Sequence, residues 1–576
     1  MKSVRPKLYL NLYWHMHQPD YRDIVTNEYV LPWTYLHAIK DYSDMVYHLE
    51  QNPKARVSFN FVPILLDQLE DYTQQFQTND IRDPLLALLA NSTFVNFTAE
   101  QCHLIVQSCF KSHHEKMLNP FPHYQRLLQL YHLVEPLQAD DQFHYLSSQY
   151  KVDLLVWYHL AWCGESLRRE NLVVQKLMNK GALFTIEDRS SLYQVIVDTI
   201  IHLIPRYRAL MQTKQIEIST TPYYHPILPL LLDFNSTLDA MPSAPLPENS
   251  QYPGGQSRAT AHVRSAQKYH ENLFGIAPRG MWPAEGGVSH AALSLMAENG
   301  VEWAATGQGV LANSLQKCKL DASDKNEYLF KPYRITNGKQ DILCFFRDDQ
   351  LSDKIGFEYA KMHSSDAVSD FIRTLEDIHQ ANDSQTAQVV SVILDGENAW
   401  EYYPYNGFYF LNELYAALSD HPDIKMTTFS DVVDMYQSST ATKGLVAPVL
   451  PAIAAGSWVY GTFSTWIGSA DKNMAWDLLC AAKKVYDHVI DENTFTAEEL
   501  VSCERQLAIC EGSDWFWWFG DYNSSDSVSS FDKLYRRNLM NLYTLLKQPV
   551  PNVLNMAISA GGGNPDAGGT MRRGQV

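Results

Sequence analysis

Two carboxylates in this chain end hydrophobic runs: Glu285 in Gly280-Met281-Trp282-Pro283-Ala284-Glu285-Gly286-Gly287, and Asp395 in Val392-Ile393-Leu394-Asp395-Gly396-Glu397-Asn398. An acid at the end of a strand, beside Gly or Trp, is placed at the mouth of a barrel rather than in free solvent. Two such acids converging on one cleft are the minimal equipment for breaking a glycosidic bond, one attacking and the other carrying the proton. A lone acid in a strand-to-helix loop more often caps the next helix. The neighbours of this pair, among them Trp282, Glu397 and Trp400, favour chemistry over capping.

His15-Met16-His17-Gln18-Pro19 closes the first strand-like run. Residues i and i+2 of a strand share a face, so His15 and His17 project together into the same mouth. With the Gln18 amide they suit sugar hydroxyls; as a metal pair they suit zinc. A metal-dependent hydrolase or deacetylase would use His15, His17 and Asp395. The later strands offer carboxylates and aromatics with few histidines, which ranks sugar contact above metal. Glu217 alternates with Ile216 and Ile218, and a Glu facing a barrel interior needs a partner, whether substrate hydroxyls or a histidine. An outward-facing surface Glu is the alternative. His225, between Tyr224 and Pro226, is a subsite candidate, and Arg347 is placed to hold a catalytic carboxylate ionised. Asp348 and Asp349 read as a loop salt bridge. Sugar faces stack on aromatic rings, so the runs around Trp458–Trp466 and Asp514–Trp518 suit a saccharide cleft. Most of those rings are expected to bury an interface, with one or two lining subsites.

The elements that must position these groups recur along the chain. Strand-like runs fall at Lys7–Trp14, Arg56–Val62, Gln215–Thr220, Gly280–Pro283, Val301–Thr306, Asp341–Arg347, Val389–Leu394 and Lys425–Thr428. Ser289 is placed to cap a helix that stops at Gly300 just before the next run, which makes a βαβ unit. Repetition of that unit predicts an irregular parallel α/β barrel. Leu-, His- and Gln-rich helical signals near 80–208 read as an insertion beside the barrel mouth. Periodic stretches at Ala470–His488, Ala497–Glu511 and Phe531–Gln548 predict a C-terminal helical bundle. The expected organisation is a catalytic barrel over 1–445, a helical domain completing the cleft over 446–550, and a disordered Gly-rich tail over 551–576.

Composition sets outer limits. Over 576 residues, 45% are hydrophobic and 19% charged, which describes a core-forming globular chain. A net charge of −19 argues against nucleic acid or an anionic membrane as partner. The first residues carry polar side chains where a signal peptide needs an apolar stretch, and no run is long enough to span a bilayer. Eight scattered cysteines, without a C-x-x-C pair, read as reduced thiols of a cytoplasmic protein.

HMHQPDY, EISTTPYYHP, GMWPAEGGVS, VILDGENAWE and the WIGSADKNMAWDLL region resemble, in order, the five sequence regions of glycoside hydrolase family 57. EGSDWFWWFGD is similar to the C-terminal helical part of its amylase-like and amylopullulanase-like members. The resemblance spans about residues 8 to 545. It implies an irregular (β/α)7 barrel followed by a helical domain, and a retaining enzyme that cleaves or transfers α-glucan chains without cofactor or metal. It further implies Glu285 as nucleophile and Asp395 as general acid/base. His15, His17, Gln18, Glu217, His225, Trp282, Glu397, Trp400 and Trp466 form the expected substrate-binding set. Asp471-Lys472-Asn473 stands where Glu-Lys-Asn is expected, and Lys214-Gln215 where a Gly is common; neither touches the expected chemistry. A 4-α-glucanotransferase would use the same residues, with an acceptor sugar in place of water. A catalytically silent glucan-binding protein is disfavoured by the intact acids.

Overall fold

The structure, a computed structural model, describes residues 5–91, 97–134, 143, 146–382, 386–438, 444–492 and 495–562. Its centre is a ring of parallel strands: β1 (Leu8–Met16), β2 (Val57–Phe61), β3 (Ile216–Ser219), β4 (Gly280–Met281), β5 (Trp303–Thr306), β6 (Asp341–Phe346) and β7 (Gln388–Asp395). Full ladders join β7, β1, β2 and β3 on one side and β4, β5 and β6 on the other. Single parallel bridges, Thr220 to Met281 and Arg347 to Ser391, close the two remaining junctions. This is the expected irregular (β/α)7 barrel, and the two single-bridge junctions are its irregularity. A short strand, β8 (Ile424–Met426), pairs with the start of β1.

Alternation along the strands sorts the side chains into two cores. On β1, Leu8, Leu10, Leu12, Trp14 and Met16 face the surrounding helices. Tyr9 and Tyr13 face inward and pack with Trp282, Trp303, Phe345 and Ile393. Both faces are therefore buried, which is why these strands read as nearly continuous apolar runs. The helix Phe429–Gln437 plugs the lower end: Thr428 caps it, and the Phe429 ring lies 4.6 Å from Trp303 and 4.5 Å from Phe345. Gly280 opens β4 because Trp303 crosses it; a Cβ there would lie 1.8 Å from the indole Cε2.

The predicted βαβ unit is present. Ser289 Oγ accepts from Ala292 N to cap the helix His290–Glu298, and β4 pairs with β5 beyond it. Between β2 and β3 the chain forms a helical array that includes Ser148–Trp162 and Ile186–Gln212. Residues 92–96, 135–142 and 144–145 of the expected insertion lie outside the described residues.

After residue 444 the chain runs back over the barrel, bridging Val288 to Gly456, and then forms the helices Ala470–Asp491, Ala497–Cys510, Asp514–Trp518 and Ser525–Leu545. The expected disordered tail is structured in its first part. Asn552–Asn555 is a short helix, and the backbone amides of Ile558 and Ser559 donate to Asp532 while the Ser559 hydroxyl donates to Asp471. A buried aspartate acting as anchor outweighs the glycine-rich composition there; residues 563–576 lie outside the described residues. No helix among the described residues is long and apolar enough to cross a membrane.

Candidate active site

Beyond β4, Pro283 leads into a single tight turn, Ala284–Gly286. Glu285 sits in it with φ 56° and ψ 27°, a left-handed conformation that costs a residue with a Cβ about 1 kcal/mol. Trp458 N donates to the Glu285 carbonyl at 3.2 Å and Gly286 N to the Pro283 carbonyl at 2.8 Å, which holds the turn. The carboxylate is then aimed at two donors: Ser513 Oγ at 3.1 Å from Oε1 and Trp458 Nε1 at 3.3 Å from Oε2. Burial, followed by the negative charges of Asp514 and Asp395, pushes Glu285 up to about 8, while the Ser513 and Trp458 bonds pull the other way.

Asp395 ends β7 directly opposite His15 in the register of β1. Asn398 Nδ2 donates to its Oδ2 at 2.9 Å. Burial raises Asp395 to about 6, against the lowering influence of Asn398, His17 and Arg347. Arg347 does not grip Asp395 in a bidentate bond as expected. Its guanidinium binds Asp349 at 2.6 Å and Asp353 at 2.8 Å, and its Nε donates to the Ile393 carbonyl. It therefore acts on Asp395 through its field while fixing the end of β7. Asp349 and Asp348 both form the salt bridges read from the sequence, with Arg347 and Lys325 respectively, and Asp348 also caps the short helix Asp349–Asp353.

Glu285 and Asp395 line one cleft together with His15, His17, Gln18, His225 and Glu397. His15 Nδ1 is bonded to Asn60 Oδ1 at 2.6 Å, and burial lowers this imidazole to about 3. His225, left-handed at φ 61°, is likewise lowered well below the ordinary range by burial. Both are therefore neutral rings at neutral pH. His17 stacks on His225 at 3.9 Å and bonds through Nε2 to Asp514 Oδ1 at 2.8 Å. Beneath it Glu397, raised well above the ordinary range by burial, accepts from His17 N at 3.1 Å and Tyr42 OH at 3.3 Å. Among the described residues, the group spaced to hold a cation is His17, His225 and Asp514, with ligand atoms within 4.8 Å of one another. That is a different set from the His15, His17 and Asp395 trio of the metal reading.

The far wall comes from one short segment after the helix Ala497–Cys510. Glu511 is fully buried, accepting from Arg258 Nη2 and His262 Nε2, each at 2.7 Å, and from Tyr252 OH at 2.6 Å. Gly512 follows because a Cβ would lie 2.9 Å from the Tyr224 carbonyl oxygen. Ser513 then bonds to Glu285 and, at 2.8 Å, to His225 Nδ1, and Asp514 reaches His17. Trp517, Trp518 and Phe531 extend this wall, Trp518 stacking on Phe531 at 4.5 Å.

Four residues of the expected substrate-binding set lie elsewhere. Glu217 faces the barrel interior, where Trp303 Nε1 donates to it at 3.0 Å and Ser430 N at 3.1 Å; its partners are structural. Trp282 is fully buried beneath the cleft, 5.9 Å from the His15 ring and 5.3 Å from Trp458. Trp400 donates to the Gly396 carbonyl at 2.8 Å and packs on Trp14, behind the Asp395 loop. Trp466 is fully buried in the helical region, its carbonyl accepting from Trp476. Large indoles are more valuable to these cores than to a solvent-facing wall. Trp458, from one of the aromatic runs expected to supply a subsite ring, does line the cleft, whereas Asn60, Asn398, Ser513 and Asp514 carry hydrogen bonds of the site that the sequence assigned to none of them individually. The inward face of β2 was the signal available for Asn60, and the aromatic run that Asp514 opens was the signal for the far wall.

Residues 11–447 match the family model described as glycosyl hydrolase family 57. Over 93–95% of its length the chain is similar in fold to solved structures at low identity. One is the alpha-amylase AmyC from Thermotoga maritima, with 13% identity, TM-score 0.56, and 94% of this chain and 93% of that one covered. Another is a GH57-type branching enzyme from Pyrococcus horikoshii, with 15% identity, TM-score 0.57, and 95% and 93% covered. A third is a 4-alpha-glucanotransferase from Thermococcus litoralis, with 14% identity, TM-score 0.50, and 93% and 60% covered. No curated protein matches.

Proposed function

The chain belongs to glycosyl hydrolase family 57, and from that premise we propose that its cleft breaks α-glucan bonds by double displacement with retention. Glu285 attacks the anomeric carbon while Asp395 protonates the departing glycosidic oxygen, giving a glycosyl ester on Glu285. Asp395 then takes a proton from the incoming hydroxyl, and the ester is displaced. The observation that carries this reading is the coupling of the two acids in one buried cleft, at about 8 and about 6. Between those values the pair holds one proton, the charge state in which one group attacks and the other donates. Burial and the neighbouring Asp514 and Asp395 charges favour that proton on Glu285. For attack it must pass to Asp395, and the Ser513 and Trp458 donors on Glu285 favour the passage.

His15, His17, Gln18, His225 and Glu397 are the groups we assign to hydroxyls of the sugar at the cleaved bond. The catalytic barrel spans 1–445 in this reading, and 446–550 is the helical domain that completes the cleft through Trp458, Ser513 and Asp514. Buried free thiols such as Cys344 and Cys510 suit a reducing compartment, which supports a cytoplasmic location.

The aromatic wall of Trp458, Trp517, Trp518 and Phe531 favours a second reading of the last step, in which a stacked acceptor sugar replaces water. Incubation with maltoheptaose tests both. Glucose and short chains indicate hydrolysis, and products longer than the substrate indicate transfer. Absence of any product at neutral pH overturns the proposal, and inversion at the anomeric carbon overturns the mechanism.

A further inference from the structure

A second cavity, with a volume of about 550 Å³ against about 100 Å³ for the catalytic cleft, lies behind the loop that carries Asp395. We propose that it is a non-catalytic binding site for a neutral α-glucan chain; this rests on the glucan activity proposed above. Its volume falls within the range of sites that enclose a small organic ligand. Its walls come from the loop 400–406 and from two segments of the helical array, 115–121 and 165–178.

Three features define the ligand's chemistry. Aromatic surface is present at Phe121 and Tyr405, and Tyr405 is 58% exposed at the rim, where it gains nothing from the core. Apolar faces of pyranose rings stack on such surface. Every cation in the wall already has a carboxylate: Arg168 and Arg169 share Glu165 at 3.3 and 2.8 Å, Lys116 meets Glu115 at 2.8 Å, and Lys40 meets Asp41 at 2.6 Å. These pairs leave one positive charge, which Glu401 in the same wall balances, so the field that a phosphorylated or acidic ligand would need is absent while polar edges remain for hydroxyl groups. The rim is also built rather than incidental. Tyr405, Asn406 and Gly407 are consecutively left-handed, at φ 54°, 52° and 72°. Two of these carry side chains and together cost a few kcal/mol. Asn406 is held there by its bond to Asp44 at 3.0 Å and by Lys40 at 3.3 Å.

The site is joined to the chemistry by its own loop. Glu397 and Asn398 face the catalytic cleft, and Glu401 to Asn406, a few residues on, face the cavity. A chain bound in the cavity therefore tethers a polymer next to the loop that positions Asp395.

Native electrophoresis of the full chain through gels containing glycogen tests the assignment, run beside turnover of a short aryl α-maltoside that fills the cleft alone. Tyr405→Ala is expected to weaken retardation roughly 5-fold, the scale of one stacking contact, and to leave short-substrate turnover within about 2-fold. Tyr405→Phe, which keeps the ring, is expected to restore retardation. Equal retardation of Tyr405→Ala and the unaltered protein, with loss only in Trp458→Ala, overturns the proposal, as does a cavity that binds glucose 1-phosphate but not maltotriose. Turnover of maltoheptaose with no retardation overturns this site and leaves the cleft's function standing. Retardation that depends on Tyr405, without turnover of any glucan, supports this site and overturns the cleft's function.

Discussion

The Ser513 hydroxyl lies 3.1 Å from Oε1 of Glu285, a contact that closes a span of 228 positions in the chain. It donates to the carboxylate, so it favours the ionised form that attacks, against the burial and the Asp514 and Asp395 charges that oppose it. Ser513→Ala is expected to lower kcat about 10- to 100-fold, the scale of a lost hydrogen bond to a charged group, with the fold unchanged by circular dichroism. A variant with full activity shows that Trp458 alone suffices to orient Glu285.

The pH profile follows from the coupled pair. Below about 6 it carries a second proton and lacks an attacking carboxylate; above about 8 it has none to donate. Activity on maltoheptaose is therefore expected to be bell-shaped with limbs near those values. Asp514→Asn removes a charge that raises Glu285, so it moves the alkaline limb down. Ser513→Ala moves it up. Initial rates from pH 5 to 9 on the three proteins check the opposed signs, and shifts in the same direction would refute the coupling.

How much of this was legible along the chain depended on range. Glu285, Asp395, His15 and His17 announced themselves because each ends an apolar run, and local alternation fixes which way a strand-end side chain points. The Ser289 cap was equally local, and with it the βαβ unit that pairs the runs on either side of its helix. Glu217 was rightly suspected of facing the interior, but its partners, Trp303 and Ser430, lie 86 and 213 positions away, and no pattern around Glu217 names them. Ser513 and Asp514 were hidden for the same reason. The indoles misled in the opposite direction: Trp400 and Trp466 look like a sugar platform in a line of text, and only packing shows them spent on cores.

Glu285→Gln separates chemistry from stability. Turnover is expected to fall at least about 10³-fold, while glucan binding persists. Because the folded state holds Glu285 at about 8, the stability tied to its proton is fully present below the ordinary carboxylate range and is lost as pH rises through about 8. The glutamine variant has no charge to bury, so its Tm is expected to exceed that of the unaltered protein, on the order of 2 °C per kcal/mol relieved. The gap widens from pH 5 to pH 8. A Tm gap that is constant over that range refutes the burial of this acid.

Glu511 carries the opposite sign. The positive charge of Arg258, with the bonds from His262 and Arg258, holds its carboxyl far below the ordinary range despite burial. Its contribution to stability is present above the ordinary carboxylate range and is lost as pH falls below about 5. Glu511→Gln leaves a buried guanidinium with only the half-exposed Glu504 as counter-charge, which is expected to cost about 3 kcal/mol at neutral pH. The difference from the unaltered protein should narrow as the medium is acidified. Glu504, the half-exposed second partner of Arg258, is the control, and Glu504→Gln should cost less than about 1 kcal/mol. Because Glu511 also anchors the turn that delivers Ser513 and Asp514, kcat should fall in the folded fraction of Glu511→Gln and not in Glu504→Gln. Denaturant melts at pH 7 and pH 4, read beside turnover, check both effects. Equal losses in the two variants would mean that the pair is surface electrostatics and that the cleft's far wall is anchored elsewhere.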